Sequence, residues 1–389
     1  MKFRWTLMAG VASFQTLPMA ASAQEKAPPA IDLGASYVID AIGVMSADQP
    51  DHADLLDNLD LTATLDLDRL IGWSGGTGHL HLLNNFGGNP NNYAGTLQGI
   101  DNIEVAGQRL RLFEAWIEQS LSRTTTVRAG LYDLNSEFYT NESAGLLIAP
   151  AFGVGSEIAA TGPNGPSILP STALSVRIDH HIGDSGYIRF AALNASAGTL
   201  GDTQGVNLTF NDGALLIAEA GIGRRRKIAV GGWSYTKRQN DIRAIDSAGN
   251  PAQQKAHGPY AVAEHPIGPV DATHPASAFL RLGISDGYTT PFRGGWQAGL
   301  LIAHPFSSRP DSVASIGVNQ GYLSRGYRQN LRDAERPMAL AETAFEVTYS
   351  DNMTPFLIVQ PDLQIVIDPA GDKSRNVVFI AGMRIRIDL

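Results

Sequence analysis

Two segments of the chain alternate apolar and polar residues more strictly than a helix allows. From Asn58 to Leu67, Leu or Ala occupies every second position, and Asn, Asp or Thr fills the positions between. On a helix these apolar side chains would point in every direction, whereas on a strand they share one face. The C-terminal segment 376–389 repeats the pattern. Each run spans about ten residues or more, which exceeds the usual soluble strand and suits a tilted strand that crosses a membrane.

The same alternation predicts fifteen strands along the chain. They are expected at 31–42, 57–67, 76–86, 109–121, 126–133, 171–181, 186–194, 214–222, 226–236, 277–285, 294–303, 313–323, 342–350, 354–367 and 376–389. If both chain ends lie on one rim of a barrel, the number of strands must be even. We therefore predict a sixteenth strand between 237 and 276, and Tyr260 to His265 is the candidate.

The connections between the predicted strands differ in length on the two sides. Tight turns are expected at 68–75, 122–125, 182–185, 223–225 and 351–353, and long loops at 87–108, 134–170, 195–213, 237–257 and 324–341. Short turns on one rim and long loops on the other are typical of bacterial outer-membrane barrels. A soluble β-sandwich also alternates, with its apolar face inward. Strand length and loop asymmetry favour the barrel.

The predicted fold is all-β: a closed antiparallel transmembrane β-barrel of sixteen strands, with the long loop at about 134–170 folded into the lumen. A barrel with this many strands is wide enough for an aqueous channel. Closure also leaves no unpaired strand edge in the hydrocarbon region.

Residues 1–23 have the features of a secretory signal. Lys2 and Arg4 precede an apolar stretch, and an A-x-A cleavage pattern ends at Ala23. We expect this segment to be removed, leaving 24–389 as a single outer-membrane barrel domain in a Gram-negative bacterium. The chain has no Cys, which excludes a disulfide framework. Its net charge of −9 disfavours nucleic acid as a partner.

A predicted β-hairpin, 109–121 with 126–133, directly precedes the long loop. If Phe113, Ile117 and the other apolar side chains of the hairpin face lipid, the opposite parity faces the lumen. The candidate pore-lining residues are Glu114, Trp116, Glu118, Arg128 and Tyr132 of the hairpin, Asp133, Asn135 and Glu137 of the loop, and Arg177 and Arg189 of later strands. Carboxylates near guanidinium groups would order polar solutes, and aromatic faces would stack on sugar rings. Alternatively, these charges only solvate a polar barrel wall.

Several blocks of sequence stand out from the strand pattern. They are Gly95-Thr-Leu-Gln-Gly-Ile-Asp-Asn-Ile-Glu104, Leu112-Phe-Glu-Ala-Trp-Ile-Glu-Gln-Ser120, Gly130-Leu-Tyr-Asp-Leu-Asn-Ser-Glu-Phe138, Gly162-Pro-Asn-Gly-Pro-Ser167, Gln360-Pro-Asp-Leu-Gln364 and Asp368-Pro-Ala-Gly371. Together they resemble the OprB-type carbohydrate-selective porin family, from about Leu55 to the end of the chain. The resemblance implies a sixteen-stranded outer-membrane barrel through which sugars diffuse passively, narrowed by loops in the lumen. It assigns no sugar contacts, and the segment 237–276 does not take part in it.

Two short motifs suggest chemistry but lack the context for it. Gly183-Asp-Ser-Gly186 copies the string around a serine-protease nucleophile, yet it lies where a hairpin turn is predicted. His79 and His81 would place two imidazoles on one strand face, as in some metal sites, but the sequence identifies no third ligand. We therefore predict neither enzymatic activity nor a cofactor or bound metal.

The predicted function is an outer-membrane porin that lets small sugars diffuse passively into the periplasm. Its expected partners are small sugars, outer-membrane lipid and the outer-membrane assembly machinery. Because porins often form trimers, a homo-oligomer is left open. The alternatives are a general or ion-selective porin, an outer-membrane barrel enzyme such as a lipid hydrolase, and a soluble sugar-binding β protein.

The constriction hypothesis predicts the effect of two substitutions. Replacing Arg128 or Glu118 by Ala should change sugar block or ion preference in single-channel recordings while leaving barrel assembly intact. If conductance and sugar block stay unchanged in both variants, these residues serve only as barrel wall.

Overall fold

The computed structural model describes residues 29–47, 49–107, 109–198, 205–223, 226–268 and 274–389. In this part of the chain, sixteen antiparallel strands close into one barrel, with the first strand paired to the last. The predicted fold class is therefore confirmed. The predicted export signal at 1–23 lies outside the described residues.

The barrel strands run in chain order around the sheet. They are β1 (Ile31–Ser46), β2 (Gln49–Asp66), β3 (Gly76–Gly87), β4 (Arg109–Ser120), β5 (Thr125–Tyr132), β6 (Ala173–Ile182), β7 (Gly186–Asn194), β8 (Ala214–Ile222), β9 (Lys227–Tyr235), β12 (His257–Ile267), β13 (Ala276–Ile284), β14 (Phe292–Ala303), β15 (Val313–Leu323), β16 (Ala341–Thr354), β17 (Leu357–Ile367) and β18 (Val378–Asp388), while β10 (Gln239–Ile245) and β11 (Pro251–Gln254) pair separately.

Helical segments are short and lie in the connections. The α-helices are α1 (Leu67–Ile71), α2 (Asn91–Ala94), α3 (Ser156–Ala159) and α4 (Arg325–Asp333), and 3-10 turns occupy Leu134–Ser136, Glu142–Ala144, Pro150–Phe152 and Pro369–Gly371. In the described ranges, no helix is long and apolar enough to cross a membrane.

The strand predicted between 237 and 276 is β12. It pairs with β9 on one side and β13 on the other, so that Val262 lies opposite both Ala229 and Arg281. The candidate placement at Tyr260 to His265 is confirmed, although the strand is longer. The small β10–β11 sheet was not predicted, because its polar sequence carries no apolar alternation.

The first two strands extend well beyond the predicted ranges 31–42 and 57–67. Their ladder continues to Val44 opposite His52 and to Ser46 opposite Gln49. Polar residues between 49 and 57 interrupt the alternation, but backbone pairing does not require an apolar face. At the other end the prediction was one residue too long, because Leu67 begins α1.

A similar error affects the turn predicted at 351–353. These residues belong to β16, which ends at Thr354, and the reversal falls at 355–356. The prediction was wrong because hydrophobic alternation does not mark where a ladder stops, whereas Pro355 cannot donate a hydrogen bond to continue it.

The barrel wall is apolar outside and polar inside. On β6, Ile178 is 44% exposed, whereas Arg177 is only 2% exposed. On β17, Leu363 is 63% exposed and its neighbour Asp362 only 1%. This inversion of the soluble pattern is what a wall between lipid and a polar interior requires.

Two long connections enter the barrel and pack there. Leu134, Phe138 and Ile158, from the segment that joins β5 to β6, cluster with the inward-facing Trp233 of β9. This segment is the loop that the sequence placed in the lumen. The segment that joins β3 to β4 also enters the barrel, which was not predicted. Its Ile100 belongs to a second apolar cluster with β1, β17 and β18.

Gly283 on β13 leaves room for the first of these segments. A Cβ at this position would lie 1.7 Å from Oε1 of Glu157 and 2.8 Å from the hydroxyl of Tyr139. Because Glu157 is 1% exposed, its carboxylate has no open space to move into. The glycine thus sets how closely the segment approaches the wall.

We predict that Gly283→Ala displaces the segment, at a cost of about 1–3 kcal/mol for overpacking, and raises single-channel conductance. Gly232→Ala on β9 is the matched control, because its Cβ would meet no atom closer than 3.5 Å. Equal conductance in the two variants would show that Gly283 does not position the segment.

Candidate pore constriction

Three charged residues meet across neighbouring strands on the inner face of the barrel. The ladder places Glu118 of β4 opposite Arg128 of β5, and Arg128 opposite Arg177 of β6. The Glu118 carboxylate lies 3.0 Å from a terminal nitrogen of Arg128 and 2.7 Å from one of Arg177. Sequence parity predicted this common face, and the register brings the three side chains into contact.

Residues 133–172, which join β5 to β6 and pack inside the barrel, form the docked segment. Glu137 joins this segment to the wall. Its carboxylate accepts hydrogen bonds from Nε of Arg177 at 2.8 Å and from Nη2 at 2.7 Å. The guanidinium groups of Arg128 and Arg189 each lie 3.8 Å away, and the Tyr132 hydroxyl donates to the same carboxylate. A single loop carboxylate is therefore shared among three arginines.

Arg189 of β7 completes the cluster. It donates from Nε to Asp179 at 2.5 Å and from Nη1 to the backbone carbonyl of Glu137 at 2.7 Å. We call the six side chains the constriction network: Arg128, Arg177, Arg189, Glu118, Glu137 and Asp179. Three cations and three carboxylates give it no net formal charge.

The network is largely shielded, and its members differ in accessibility. Arg128 and Arg177 keep only 2% of their side-chain surface, whereas Glu118 keeps 16% and Arg189 keeps 13%. Glu118 and Arg189 are therefore the members that present the most surface to a solute.

The arginines also determine the charge state of Glu137. Burial alone would raise the pKa of this carboxyl, but Arg189, Arg128 and Arg177 outweigh it and hold the pKa well below its usual range. Glu137 is therefore ionised at neutral pH and binds the segment to the wall as a charged group.

A second group of predicted residues lies beside the network. The Arg128 guanidinium lies 3.7 Å above the ring of Trp116, which also stacks on His79 with centroids 4.9 Å apart. Glu114 accepts a hydrogen bond from the backbone N–H of Asp133 at 3.0 Å. These residues connect the hairpin to the first residue of the docked segment.

Asp133 and Asn135 have local roles in the segment. The Asp133 carboxylate accepts the Asn135 N–H at 2.9 Å and caps the 3-10 turn. The Asn135 side chain donates to the Gly153 carbonyl at 3.0 Å. Neither side chain joins the constriction network.

Two apolar hairpin residues expected to face lipid, Phe113 and Leu131, are instead buried. Phe113 was expected to face lipid, but it is 5% exposed and packs edge-on against His81, with ring centroids 5.1 Å apart. The register between β3 and β4 shifts at this point, so both Phe113 and Glu114 are buried. A bulge adds a residue to one strand, which simple parity cannot reveal.

Sequence reasoning missed several side chains that hold the docked segment. Glu219 accepts the Tyr139 N–H at 2.9 Å, and Glu264 accepts the Ser143 N–H at 2.7 Å. Glu346 accepts the Ala149 N–H at 2.9 Å. Parity would have placed Glu219 correctly, but Glu264 lies on the strand that was hardest to identify.

Arg281 holds the docked segment through backbone carbonyls rather than through N–H groups. Its guanidinium donates to the backbone carbonyls of Gly153 at 2.6 Å and of Tyr139 and Ala151 at 3.1 Å. The alternation of Leu280, Arg281 and Leu282 was readable from sequence, but nothing there indicated the partner.

The segment between β3 and β4 is held in the same manner. Glu342 accepts the N–H groups of Leu97 and Gln98, both at 2.9 Å. Gln364 donates to the Ile100 carbonyl at 2.8 Å. Two segments thus narrow the interior, each fastened through its backbone.

Comparison with known proteins agrees with this architecture. A family model described as carbohydrate-selective porin, OprB family, matches residues 52–389. The chain belongs to this family. It is therefore a carbohydrate-selective porin of the Gram-negative outer membrane, and a non-enzymatic channel.

Individual relatives are distant in sequence but similar along most of their length. The porin is 21% identical to Porin B of Pseudomonas aeruginosa in an alignment 370 residues long, which takes in 85% of this chain and 81% of that protein. A high-pH structure of Pseudomonas putida OprB matches with a TM-score of 0.82 at 21% identity, covering 92% of this chain and 94% of the other. The outer-membrane channel DcaP of Acinetobacter baumannii matches with a TM-score of 0.53 at 11% identity, covering 92% and 97%. These structures share the barrel fold.

We predict that acid weakens docking of the segment through Glu137. Because its pKa is lowered on docking, the stabilisation is complete above the ordinary carboxyl value of 4.5 and declines as the pH falls below it. The wild-type thermal midpoint should exceed that of Glu137→Gln at pH 8 to 5, and the difference should shrink at pH 3.5. A difference that is constant with pH would contradict an ionised Glu137.

Proposed function

We propose that small sugars diffuse passively into the periplasm past the constriction network, through the space that the two docked segments leave open. The observation that carries this proposal is the charge balance of the network at the junction of segment and wall. No chemical step is involved, so a sugar would move only down its concentration gradient.

Charge balance favours an uncharged polar solute. A lumen ring of one sign would attract its counter-ion, whereas equal numbers of guanidinium and carboxylate groups favour neither ion strongly. The same groups supply donors and acceptors to sugar hydroxyls. Arg189 and Glu118, as the most accessible members, are proposed to make these contacts.

The exterior supports the remaining expected partners. Exposed apolar side chains such as Ile178 and Leu363 fit contact with outer-membrane lipid. We infer that the outer-membrane assembly machinery inserts the chain, since the sequence of β18 alternates apolar and polar residues as barrel strands do.

Sugar uptake by liposomes tests the passive channel directly. Vesicles that contain the purified porin should swell in isotonic glucose, and the rate should rise with protein content. If glucose enters no faster than into protein-free vesicles, the proposed route is wrong.

The proposed role of the network predicts the effect of Glu118→Gln. Removing this carboxylate leaves one uncompensated guanidinium, so the reversal potential in a KCl gradient should shift towards anion preference. Sugar block should weaken by about tenfold, since a hydrogen bond to a charged group contributes about 1.5–3 kcal/mol.

Asp184→Asn is the matched control, because it removes the same charge from an exposed turn between β6 and β7. It should alter neither the reversal potential nor sugar block. Equal effects of the two variants would assign the result to overall charge and contradict a role of the network.

A further inference from the structure

His79, His81 and Glu114 converge on one point of the inner wall. The two imidazoles extend from β3, and the carboxylate extends from β4, where Glu114 lies opposite His81. One ligand atom from each residue lies within 4.8 Å of the others. The third ligand that the sequence did not identify is thus supplied by the neighbouring strand.

We propose that this cluster is a binding site for a divalent transition-metal ion of the Zn²⁺ type. Two imidazoles and one carboxylate form a donor set that Zn²⁺ accepts, with a fourth position left for water. Imidazole nitrogen favours such ions over Mg²⁺ or Ca²⁺, which prefer oxygen ligands. The sequence alone predicted no metal here, because it could not show where Glu114 lies.

The distances suit such an ion after a small contraction. Oε2 of Glu114 lies 3.9 Å from Nε2 of His79 and 3.8 Å from Nδ1 of His81. Ligands of tetrahedral Zn²⁺, with bonds of about 2.0–2.1 Å, lie about 3.3–3.4 Å apart. Each Glu114–imidazole distance would have to shorten by about 0.5 Å, and the two imidazole nitrogens, which lie within 4.8 Å of each other, would have to approach as well.

In each imidazole, the ring nitrogen that faces away from Glu114 already has a hydrogen-bonding partner. Nε2 of His81 lies 2.7 Å from a carboxylate oxygen of Asp60, and Nδ1 of His79 lies 3.1 Å from the hydroxyl of Thr64. When these nitrogens carry the proton, the other nitrogen of each ring presents a lone pair towards Glu114. Such carboxylate and hydroxyl partners are the usual supports of metal-binding histidines.

Further hydrogen bonds orient Asp60, the partner of His81, and the ligand Glu114 itself. Asn58 donates to the second oxygen of Asp60 at 2.5 Å, which fixes that carboxylate. The backbone N–H of Asp133 occupies Oε1 of Glu114, so Oε2 is the oxygen that faces the imidazoles. The three ligand side chains are therefore oriented by contacts that do not involve a metal.

The alternative is a cluster held together by a proton on one imidazole. A proton or a metal ion would each compensate Glu114, whose surroundings are buried. Only the metal requires both imidazoles to be neutral, and its binding must release any proton that they hold. Direct measurement of metal binding separates the two cases.

The experiment uses the full-length porin without a histidine tag, purified in detergent and treated with EDTA. Titration calorimetry with ZnCl₂ at pH 7.5 should show one ion per chain, and X-ray absorption should show two imidazole ligands. Glu114→Gln should weaken binding at least tenfold. Asp60→Asn should weaken it by about 10–100-fold, as loss of a supporting partner typically does.

His257→Gln is the matched control, because this exposed imidazole lies outside the cluster and is hydrogen-bonded to the Lys255 carbonyl. It should bind Zn²⁺ like the wild type. Faster gel migration of unheated samples verifies that each variant folds, and His79→Asn replaces Glu114→Gln if the latter does not. Absence of binding, or equal affinity in the cluster variants and the wild type, would overturn the proposal. Sugar passage is measured separately and does not depend on this result.

Discussion

Carboxylates on the barrel wall that accept backbone N–H groups determine what the interior looks like. A segment buried in a barrel has no neighbouring strand to pair with, and each unpaired N–H would cost about 1–3 kcal/mol. Glu219 of β8, Glu264 of β12 and both Glu342 and Glu346 of β16 supply the missing acceptors. Hydrogen bonds to the wall therefore fix the position of the docked segments, although these segments contain little regular structure.

Strand alternation made most of the barrel predictable from sequence. The charged residues of β4 to β7 were assigned to one face because parity is a local property, and Glu118, Arg128 and Arg177 meet there. Three features could not be predicted, because they depend on contacts between segments that are distant in sequence or on strand register. The bulge beside Phe113 changes parity without a sequence signal, the cluster with Glu114 depends on register, and the anchoring role of Glu264 depends on a partner far along the chain.

The network and the anchors use buried charge in different ways. In the network, arginines compensate the carboxylates, so that a charged group on the loop is stable beside the wall. At the anchors, backbone dipoles take the place of a cation, as in the pair of N–H groups that Glu342 accepts. In both arrangements a carboxylate on the wall or the loop holds a segment inside the barrel, and in the network alone its charge is matched by guanidinium groups.

The anchors also constrain the order in which the molecule can be completed. The segment between β5 and β6 is synthesised early, but its acceptors on β12 and β16 come from residues more than a hundred positions later. It cannot reach its final position until those strands have joined the sheet. Narrowing of the passage therefore cannot be completed before β12 and β16 have joined the sheet.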